Sequence, residues 1–367
     1  MLRLPDNPTI AIVGATGAVG REVLAILAER RFPVGSLRAF ASPRSAGTRL
    51  PCGAIATARS GLDGLDLLDG EVVVEALSHG ATPEGVHLAI FSAGRSISRE
   101  WAPRFRDAGA LVIDNSSAFR SDPDCPLVVP EVNGEILASV DGPAIVANPN
   151  CSTIIALVAT TPLHRAIGVE RMTVATYQAA SGAGAAAMAE LESQARAYAE
   201  GRPMDVSIFG RQYLFNVFSH DSPIGPDGSN EEERKLLAET RRLWDAPAVR
   251  VSATCVRVPT LRAHAEAINL ELARKTCVDE VRDLLSAAPG VRIVDDRAAN
   301  RFPEPLEAAG RDEVLVGRIR MDAGVPDGRG VALFCCGDQI RKGAALNAVQ
   351  IAERFLPAAV SAHARAR

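Results

Sequence analysis

One cysteine in the chain has neighbours that suit nucleophilic chemistry. Cys151 lies in the segment NPNCST, between an apolar run that ends at Ala147 and another that begins at Ile154. Capping residue types such as Asn150 predict that a helix begins here. A helix N-terminus lowers the pKa of a thiol from about 8.5, because its dipole and open N–H groups favour the thiolate. The same N–H groups could stabilise an oxyanion on a carbonyl that the sulfur attacks. The alternative is an inert, buried cysteine at a strand-to-helix turn.

A histidine that could handle protons for this thiol stands much later in the chain. His264 follows the loop-like segment PTLRA and begins an apolar strand pattern, with Arg257 and Arg262 just upstream. A positioned acid–base group is typically worth about 10² to 10⁴ in rate, so acyl transfer at Cys151 would need one. The local sequence also fits a half-buried structural histidine.

A glycine-rich turn near the N-terminus suits a dinucleotide. Gly14, Gly17 and Gly20 separate the first predicted strand from the first predicted helix. Glycines allow the backbone to approach a pyrophosphate, and the helix N-terminus supplies N–H groups and a positive dipole. The spacing is GxxGxxG rather than GxGxxG. The competing interpretation is a tight turn in an α/β domain that binds no dinucleotide.

The end of the second predicted strand bears on which dinucleotide is bound. An acidic residue there would bind the adenosine ribose of NAD. This chain instead has Ser42, Arg44 and Ser45. Two hydroxyls and a guanidinium suit the additional 2′-phosphate of NADP, so we expect NADP as the cofactor. A solvated loop arginine is the alternative for Arg44.

The elements that must position these residues fall into two parts. Strands and helices alternate up to about residue 150, and the strands are apolar almost throughout, which predicts a parallel sheet covered on both faces. After Cys151 several strands follow in series and predict a mixed or antiparallel sheet. The fold class is therefore α/β, with a parallel-sheet domain over 1–150 and a second domain over 151–341; the family resemblance described below implies a Rossmann-type domain for the first and an α+β domain for the second. An amphipathic segment over 342–360 predicts a last helix that packs back on the first domain.

The composition excludes several classes of protein. The 367 residues are 47% hydrophobic and 23% charged, which is ordinary globular composition with room for two domains. A net charge of −4 gives nucleic-acid binding no electrostatic support. No apolar run approaches the roughly 20 residues of a membrane-spanning helix, and the N-terminus lacks a signal-peptide pattern. Seven cysteines without CxxC or a recurring spacing argue against a disulfide framework and a zinc site. We expect a cytoplasmic protein with no metal and no membrane partner.

Seven segments resemble the aspartate-β-semialdehyde dehydrogenase family, in that family's order and over nearly the whole chain. They are GATGAVGREVL, DNSSAFR, VVPEVN, NPNCST, YQAASGAGAAAMAEL, RVPTLRAHAEA and RKGAALNAVQIAE. The resemblance implies an NADP-binding Rossmann domain followed by an α+β domain for catalysis and dimerisation. It implies reduction of L-4-aspartyl phosphate to L-aspartate 4-semialdehyde by NADPH, through a thioacyl intermediate on a cysteine. That reaction belongs to lysine, threonine and methionine biosynthesis.

The resemblance also implies roles for individual residues. Cys151 matches the family's nucleophile, and His264 matches its acid–base histidine. Gln178 matches the glutamine that orients the intermediate. Arg257 matches the arginine that grips the substrate α-carboxylate, and Arg120 matches the arginine that holds phosphate.

The segment NEEERK is similar to the family's Glu-x-x-Lys. Glu232 would then face the substrate amino group and Lys235 the phosphate, whereas a solvated first helical turn is the alternative. Asn150 is a further implied substrate-binding residue. The implied cofactor-binding residues are Gly14, Thr16, Gly17, Ala18, Val19, Gly20, Ser42, Arg44, Ser45, Ser181, Gly182 and Asn347. The family likeness implies a homodimer, with a tetramer as the alternative.

One departure and three rival functions accompany the resemblance. Ala265 stands where a serine is common in the family. N-acetyl-γ-glutamyl-phosphate reductase runs the same thioacyl chemistry, but Glu232 suits a free ammonium rather than an acetamido group. A glyceraldehyde-3-phosphate dehydrogenase-like enzyme would want NAD and an acidic residue where Arg44 lies. A non-catalytic dinucleotide-binding paralogue would not need Cys151, which this chain retains.

Overall fold

The computed structural model describes residues 2–58, 65–78 and 81–357. The chain forms two compact units. The first combines the residues up to Pro149 with those from Ala344 onward, and the second is Asn150–Gly343. Within the described residues, no helix has both the length and the apolar character that crossing a bilayer requires.

The first unit is built around a seven-stranded sheet in the order β3-β4-β2-β1-β5-β6-β7. Its strands are β1 Thr9–Val13, β2 Ser36–Ala41, β3 Arg49–Ala58, β4 Leu65–Ala76, β5 Leu88–Phe91, β6 Leu111–Asp114 and β7 Ile145–Ala147. Its first helices are α1 Ala18–Glu29, α2 Arg95–Asp107 and α3 Pro130–Asn133. All strand pairs except β3–β4 are parallel, and the apolar residues of β1, β5 and β6 are fully buried. The predicted parallel sheet is confirmed.

The central position of β1 creates a place where a ligand can bind. The chain passes from β1 to β2 on one side and later fills β5 on the other. In open α/β sheets, ligands bind outside the carboxyl ends of strands at such a switch point, and the glycine turn follows β1 there. The sequence pattern does not predict the edge strand β3. Its pairing with β4 shifts register between Pro51 and Ala54, which interrupts the regular strand pattern.

The second unit is built around a mixed sheet in the order β12-β13-β14-β11-β8-β10-β9. Its strands are β8 Val169–Gln178, β9 Phe218–Ser219, β10 Arg250–Arg257, β11 His264–Leu272, β12 Val291–Ile293, β13 Val314–Met321 and β14 Gly330–Gly337. Its helices are α4 Cys151–Ile167, α5 Ala185–Ala199, α6 Glu231–Leu243, α7 Val278–Ser286 and α8 Pro305–Ala308. Only β8–β10 and β12–β13 are parallel, so the predicted mixed sheet is confirmed.

The last helix begins with a π-helical turn. This turn covers Arg341–Ala345, and α9 follows over Leu346–Glu353. Apolar residues of α9, such as Leu346 and Val349, belong to the same core cluster as β1 and α1 of the first unit. The helix ends at Glu353, short of the predicted end at residue 360, and residues 358–360 lie outside the described residues.

Candidate active site

Cys151 is the first residue of α4, and the residue before it fixes that position. The side-chain oxygen of Asn150 accepts hydrogen bonds from the backbone N–H groups of Ser152 at 3.0 Å and Thr153 at 3.2 Å. This N-cap holds two N–H groups that would otherwise lack partners. Cys151 itself is half-buried. Its thiol therefore lies at the positive end of a 17-residue helix, where the thiolate is favoured.

The imidazole of His264 lies beside this thiol. Cys151 Sγ and His264 Nε2 are 3.6 Å apart, although the residues are 113 positions apart in the chain. His264 is fully buried at the start of β11, and its Nδ1 accepts a hydrogen bond from the backbone N–H of Ala179 at 3.1 Å. A neutral imidazole with Nδ1 as acceptor carries its proton on Nε2, which faces the sulfur. Burial, and next the positive charge of Arg257, lower the pKa of His264 to about 3, so the ring is neutral near pH 7.

The amide of Gln178 links the start of α4 to a buried carboxylate. Gln178 ends β8, and its Nε2 donates hydrogen bonds to Ser152 Oγ at 2.8 Å and Glu232 Oε1 at 3.3 Å. Arg257 lies directly opposite Gln178 in the register of β10 and β8. The side-chain amide is therefore held between α4, which carries the cysteine, and Glu232 of α6.

Glu232 is the one of three consecutive glutamates that enters this cluster. It is 4% exposed, and its Oε1 accepts a hydrogen bond from Asn150 Nδ2 at 2.7 Å. Lys235 Nζ lies 3.5 Å from Oε2. Burial raises the pKa of Glu232, but His220, Lys235 and the hydrogen bonds outweigh it and bring the pKa to about 2. Glu233 instead completes the capping box of α6 with Asn230.

Arg257 is a buried cation with defined partners. It is 3% exposed, its Nε donates to Asp221 Oδ1 at 2.8 Å, and its Nη1 donates to the carbonyl oxygen of Ala179 at 3.3 Å. Its guanidinium also lies over the ring of Phe209, 5.7 Å from the ring centroid. Among the described residues, its Nη2 makes no hydrogen bond. This donor is available to a carboxylate.

Two acidic residues of this cluster are missing from the sequence prediction. Glu239 is 4% exposed and accepts the backbone N–H of Asn150 at 2.7 Å. It lies two helical turns after Glu232, on the buried face of α6, and that spacing is the signal that could have found it. Asp221 lies in a segment rich in proline and glycine, and nothing local to it predicts an ion pair with Arg257.

The turn after β1 packs its backbone so closely that two of its positions accept only glycine. Gly14 has φ +89°, and a Cβ there would lie 2.6 Å from the backbone carbon of Ser92. A Cβ at Gly20 would lie 2.7 Å from Ala15 Cα. Gly17 is the N-cap of α1 and has no side chain to fill the turn. The predicted residues Thr16, Ala18 and Val19 lie half-buried between these glycines.

The residues predicted for the adenosine end of the cofactor follow β2. They form a short 3₁₀ turn over Pro43–Ser45. Ser42 and Arg44 are exposed and Ser45 is half-buried. This turn therefore presents two hydroxyls and a guanidinium to solvent at the carboxyl end of a strand that neighbours β1.

Two further predicted residues, Arg120 and Asn347, make hydrogen bonds within the first unit. Arg120, in the first unit, donates to the carbonyl oxygens of Asn148 at 2.9 Å and Asn115 at 2.8 Å. Asn347, also there, donates from Nδ2 to Val128 O at 3.0 Å and to Asn148 Oδ1 at 2.6 Å, so this nitrogen binds within its own unit.

Two predicted cofactor residues lie in the 3₁₀ turn Ala180–Ala183 of the second unit. Ser181 is buried, and its Oγ makes no hydrogen bond to any described residue. A Cβ at Gly182 would lie 2.7 Å from Arg257 Nη1 and 3.2 Å from His264 Cε1. Within the described ranges, no group of three or more His, Cys, Asp or Glu side chains is arranged to hold a metal ion.

Known proteins match this chain over nearly its whole length. Residues 9–140 match the family model described as semialdehyde dehydrogenase, NAD binding domain, and residues 160–342 match semialdehyde dehydrogenase, dimerisation domain. The aspartate-semialdehyde dehydrogenase of Synechocystis sp. is 48% identical over 95% of this chain and 98% of its own length. That of Prochlorococcus marinus is 44% identical over 96% and 97%. The crystal structure of Vibrio cholerae aspartate semialdehyde dehydrogenase II complexed with ASA has a TM-score of 0.86 at 40% identity, and covers 95% of this chain and 98% of its own.

Proposed function

The chain belongs to the aspartate-semialdehyde dehydrogenase family, and from that premise we propose which of its residues carry the reaction. The reaction is the reduction of L-4-aspartyl phosphate to L-aspartate 4-semialdehyde, with Cys151 as the nucleophile. The observation that carries this assignment is the 3.6 Å approach of Cys151 Sγ and His264 Nε2 at the N-terminus of α4. In this proposal residues 1–150 bind the dinucleotide and residues 151–341 carry catalysis and dimerisation. These limits lie close to those of the two compact units.

The covalent steps balance around the sulfur. The Cys151 thiolate attacks the acyl carbon, a C–S bond forms, and the C–O bond to phosphate breaks with phosphate as the leaving group. The nicotinamide dinucleotide, when bound, supplies the hydride that reduces the thioester. Cleavage of the C–S bond then releases the aldehyde and restores the thiolate. These steps need a group that stabilises negative charge on the sulfur and on the oxygen of the attacked carbonyl.

His264 supplies such a group as a fixed hydrogen-bond donor. Because Nδ1 accepts the backbone N–H of Ala179, the neutral ring holds its proton at Nε2, towards the sulfur. A hydrogen bond to the charged form favours that form, so this N–H lowers the pKa of the thiol. The same N–H can donate to an oxyanion that forms on the carbon bound to sulfur.

The substrate is proposed to bind by its three charged groups. The buried guanidinium of Arg257 suits the α-carboxylate, because two parallel N–H donors match two oxygens. Glu232 stays ionised with a pKa of about 2, which suits the α-ammonium. Lys235 and Arg120 are proposed for the phosphate, and Gln178 and Asn150 for orienting the acyl group. A substrate with an acetamido group would offer the Glu232 carboxylate no positive charge.

We propose NADP rather than NAD as the cofactor. The NAD binding domain model supports a nicotinamide dinucleotide. Gly17, the N-cap of α1, has no side chain that would keep a pyrophosphate from the N–H groups of the helix N-terminus. Ser42, Arg44 and Ser45 would bind the 2′-phosphate. Ser181, Gly182 and Asn347 remain proposed cofactor residues.

The dimerisation domain indicates an oligomer, for which we propose a homodimer. The face of the second sheet that bears Tyr177 is a candidate contact, since this tyrosine is 38% exposed beside the half-buried Phe334.

We also propose a cytoplasmic location, because a thiol nucleophile must stay reduced.

A spectrophotometric assay of the purified protein tests the function. L-aspartate 4-semialdehyde, phosphate and NADP⁺ are mixed with the protein, and reduced nicotinamide is followed by its absorbance. We expect turnover that requires phosphate, is faster with NADP⁺ than with NAD⁺, and is absent with N-acetyl-L-glutamate 5-semialdehyde. Turnover of the acetylated substrate alone would replace the proposed function with the reductase.

A further inference from the structure

Two glycines of the second unit lie against the catalytic pair, and neither has a backbone conformation that calls for glycine. Gly343 and Gly337 both have φ outside the left-handed region. A glycine in ordinary conformation is required only where a side chain has no space. What each glycine contacts therefore shows why it is there.

Gly343 lies directly against the nucleophile. A Cβ at this position would be 2.9 Å from Cys151 Cβ and 3.3 Å from Cys151 Cα. Carbon atoms pack best at about 3.5 to 4.0 Å, so even one methyl group would overlap. Because the contacted atoms belong to the base of the cysteine side chain and its backbone, no side-chain rotation can relieve the overlap. The start of α4 or the Gly343 backbone would have to move.

The backbone around Gly343 is held in place. It lies in the π-helical turn Arg341–Ala345, and its N–H donates to the carbonyl oxygen of Asp338 at 3.0 Å. The fully buried Asp338 carboxylate accepts the backbone N–H groups of Ile340 and Arg341, each at 3.0 Å. Short π-helical insertions are frequent at functional sites. We therefore expect an alanine at position 343 to displace Cys151 rather than to move away from it.

Gly337 determines how closely α4 approaches β14, the strand that pairs with the histidine strand β11. It pairs with His264 in the register of β14 and β11. A Cβ there would lie 2.8 Å from Ile155 Cγ1 and 3.1 Å from Ile155 Cδ1. Ile155 is four residues after Cys151 and thus on the same face of α4. The missing side chain lets α4 lie close to the strand that neighbours the histidine.

We propose that Gly337 and Gly343 are positioning residues that fix the separation of the Cys151 thiol and the His264 imidazole. They allow the first two turns of α4 to pack against β14 at Ile155 and against the π-helical turn at Cys151. A larger residue at either position lengthens the 3.6 Å contact and weakens the N–H donation to sulfur. The inference rests on the proposed roles of the pair, but it concerns the thiol itself and can be measured without substrate.

A double-mutant cycle tests the Gly337 contact. Gly337→Ala, Ile155→Ala and the double variant are compared by the pH dependence of iodoacetamide alkylation at Cys151, and by kcat and KM. We expect Gly337→Ala to raise the pKa of the reactive thiol and to lower kcat by about 10²-fold, the loss typical of a 1 Å misplacement, with little change in KM. Ile155→Ala removes the overlapping atoms, so the double variant should recover most of both quantities.

The rescue distinguishes positioning from a general packing role. If the double variant remains as impaired as Gly337→Ala, or if Gly337→Ala leaves the thiol titration and kcat unchanged, the proposal is wrong. Loss of folding cooperativity in the single variant with normal thiol titration also contradicts it. Failure of the semialdehyde assay in the parent protein would count against the proposed function alone, because alkylation still reports on the glycines.

Gly343→Ala provides the second measurement. Gly142→Ala is its matched control, since Gly142 has ordinary φ and no atom within 4 Å of a Cβ there. We expect Gly343→Ala to reduce both alkylation and kcat at least as much as Gly337→Ala, and Gly142→Ala to behave as the parent. A folded Gly343→Ala protein with the parent's thiol pKa and kcat would overturn the proposal. If this variant fails to fold, the Gly337 and Ile155 cycle decides the question.

Discussion

The glycine turn of the first unit and the cysteine–histidine cluster of the second, which are the proposed cofactor and catalytic sites, are built in different ways. The turn relies on missing side chains at Gly14 and Gly20 and on the exposed side chain of Arg44. The cluster relies on ionisable side chains such as Glu232 and Arg257, each under 5% exposed and hydrogen-bonded to specific neighbours. A site made from backbone and exposed groups spreads its binding over many weak contacts. A site made from buried charges depends on each member, because removing one leaves the others without a partner.

The largest effect is expected where the cluster forms a bond to the substrate. Cys151→Ala removes the sulfur that is proposed to carry the acyl group, so we expect turnover to fall by about 10⁴-fold or more, the scale of losing a nucleophile. Binding of NADP, measured by titration calorimetry, should stay close to that of the parent, because the proposed dinucleotide residues at the glycine turn are unchanged. If Cys151→Ala lost NADP binding as well as turnover, the two regions would not function independently.

The matched control for this prediction is another thiol of the same unit. Cys277 is exposed at the N-cap position of α7, where its side chain makes no capping hydrogen bond. Cys277→Ala should keep the parent's turnover. If Cys151→Ala is as active as the Cys277 variant, the covalent route is excluded and the non-catalytic alternative is favoured.

A smaller but still large effect on kcat/KM is expected when the buried guanidinium of Arg257 is replaced by another cation of different geometry. Arg257→Lys keeps the positive charge and loses the planar arrangement of donors, so it can no longer bind both Asp221 and a substrate carboxylate in parallel geometry. We expect kcat/KM to fall by about 10²-fold, which corresponds to roughly 3 kcal/mol. Arg250→Lys, at the exposed start of the same strand, should change kcat/KM less than twofold. Equal effects at the two positions would contradict the proposed carboxylate contact.

The two regions also differ in how far the sequence predicts them. The glycine turn is local, since Gly14, Gly17 and Gly20 lie within one βα unit, and spacing alone places them. The N-cap of α4 is also local, because Asn150 is a capping residue beside Cys151. The approach of His264 to the thiol is a consequence of β11 pairing and α4 packing across 113 residues. The sequence alone favours this histidine only through its neighbours and the family resemblance.

The partners of the predicted residues are harder to predict than the residues themselves. Asp221 and Glu239 have no motif, and each becomes part of the cluster only through the place where its backbone lies. The same holds for Gly337, whose contact with Ile155 depends on how closely α4 packs on β14. Spacing within one element can be inferred from a sequence, whereas distances between elements depend on packing.

A modest effect is expected in the exposed region. Arg44→Ala removes one guanidinium that is proposed to bind the 2′-phosphate, and an exposed contact with phosphate is partly replaced by water and salt. We expect KM for NADP to rise about tenfold while KM for NAD is nearly unchanged. Arg49→Ala, which removes another exposed arginine of the same unit, is the control and should alter neither value. An unchanged preference for NADP in the Arg44 variant would remove the basis for that cofactor.

The last effect is on stability rather than on turnover, because a buried imidazole that resists protonation destabilises the fold at acid pH. The pKa of His264 is about 3 in the folded protein and about 6.5 in an unfolded chain, because burial, and after it the charge of Arg257, disfavour the imidazolium. The unfolded state therefore binds a proton more readily as the pH falls below 6.5, and stability is lost from there down towards pH 3. Between pH 6.5 and 5 this linkage amounts to about 2 kcal/mol, or a few degrees in Tm.

His264→Gln removes this linkage and keeps a side chain that can donate a hydrogen bond. We expect its Tm to fall less steeply than the parent's between pH 6.5 and 5, measured by thermal unfolding at matched ionic strength. Burial likewise lowers the pKa of His164 and His220, so both proteins should retain part of the slope, and only the difference between them reports on His264. Glu232→Gln serves as a control and should leave the difference in slope between the parent and His264→Gln unchanged. The pKa of Glu232 is about 2 in the folded protein, so this carboxylate affects stability only below about pH 4.5. Parallel curves for the parent and His264→Gln would mean that the folded protein accepts a proton at His264 as easily as the unfolded chain does, and the fixed-donor role would then be replaced by a proton-exchanging one.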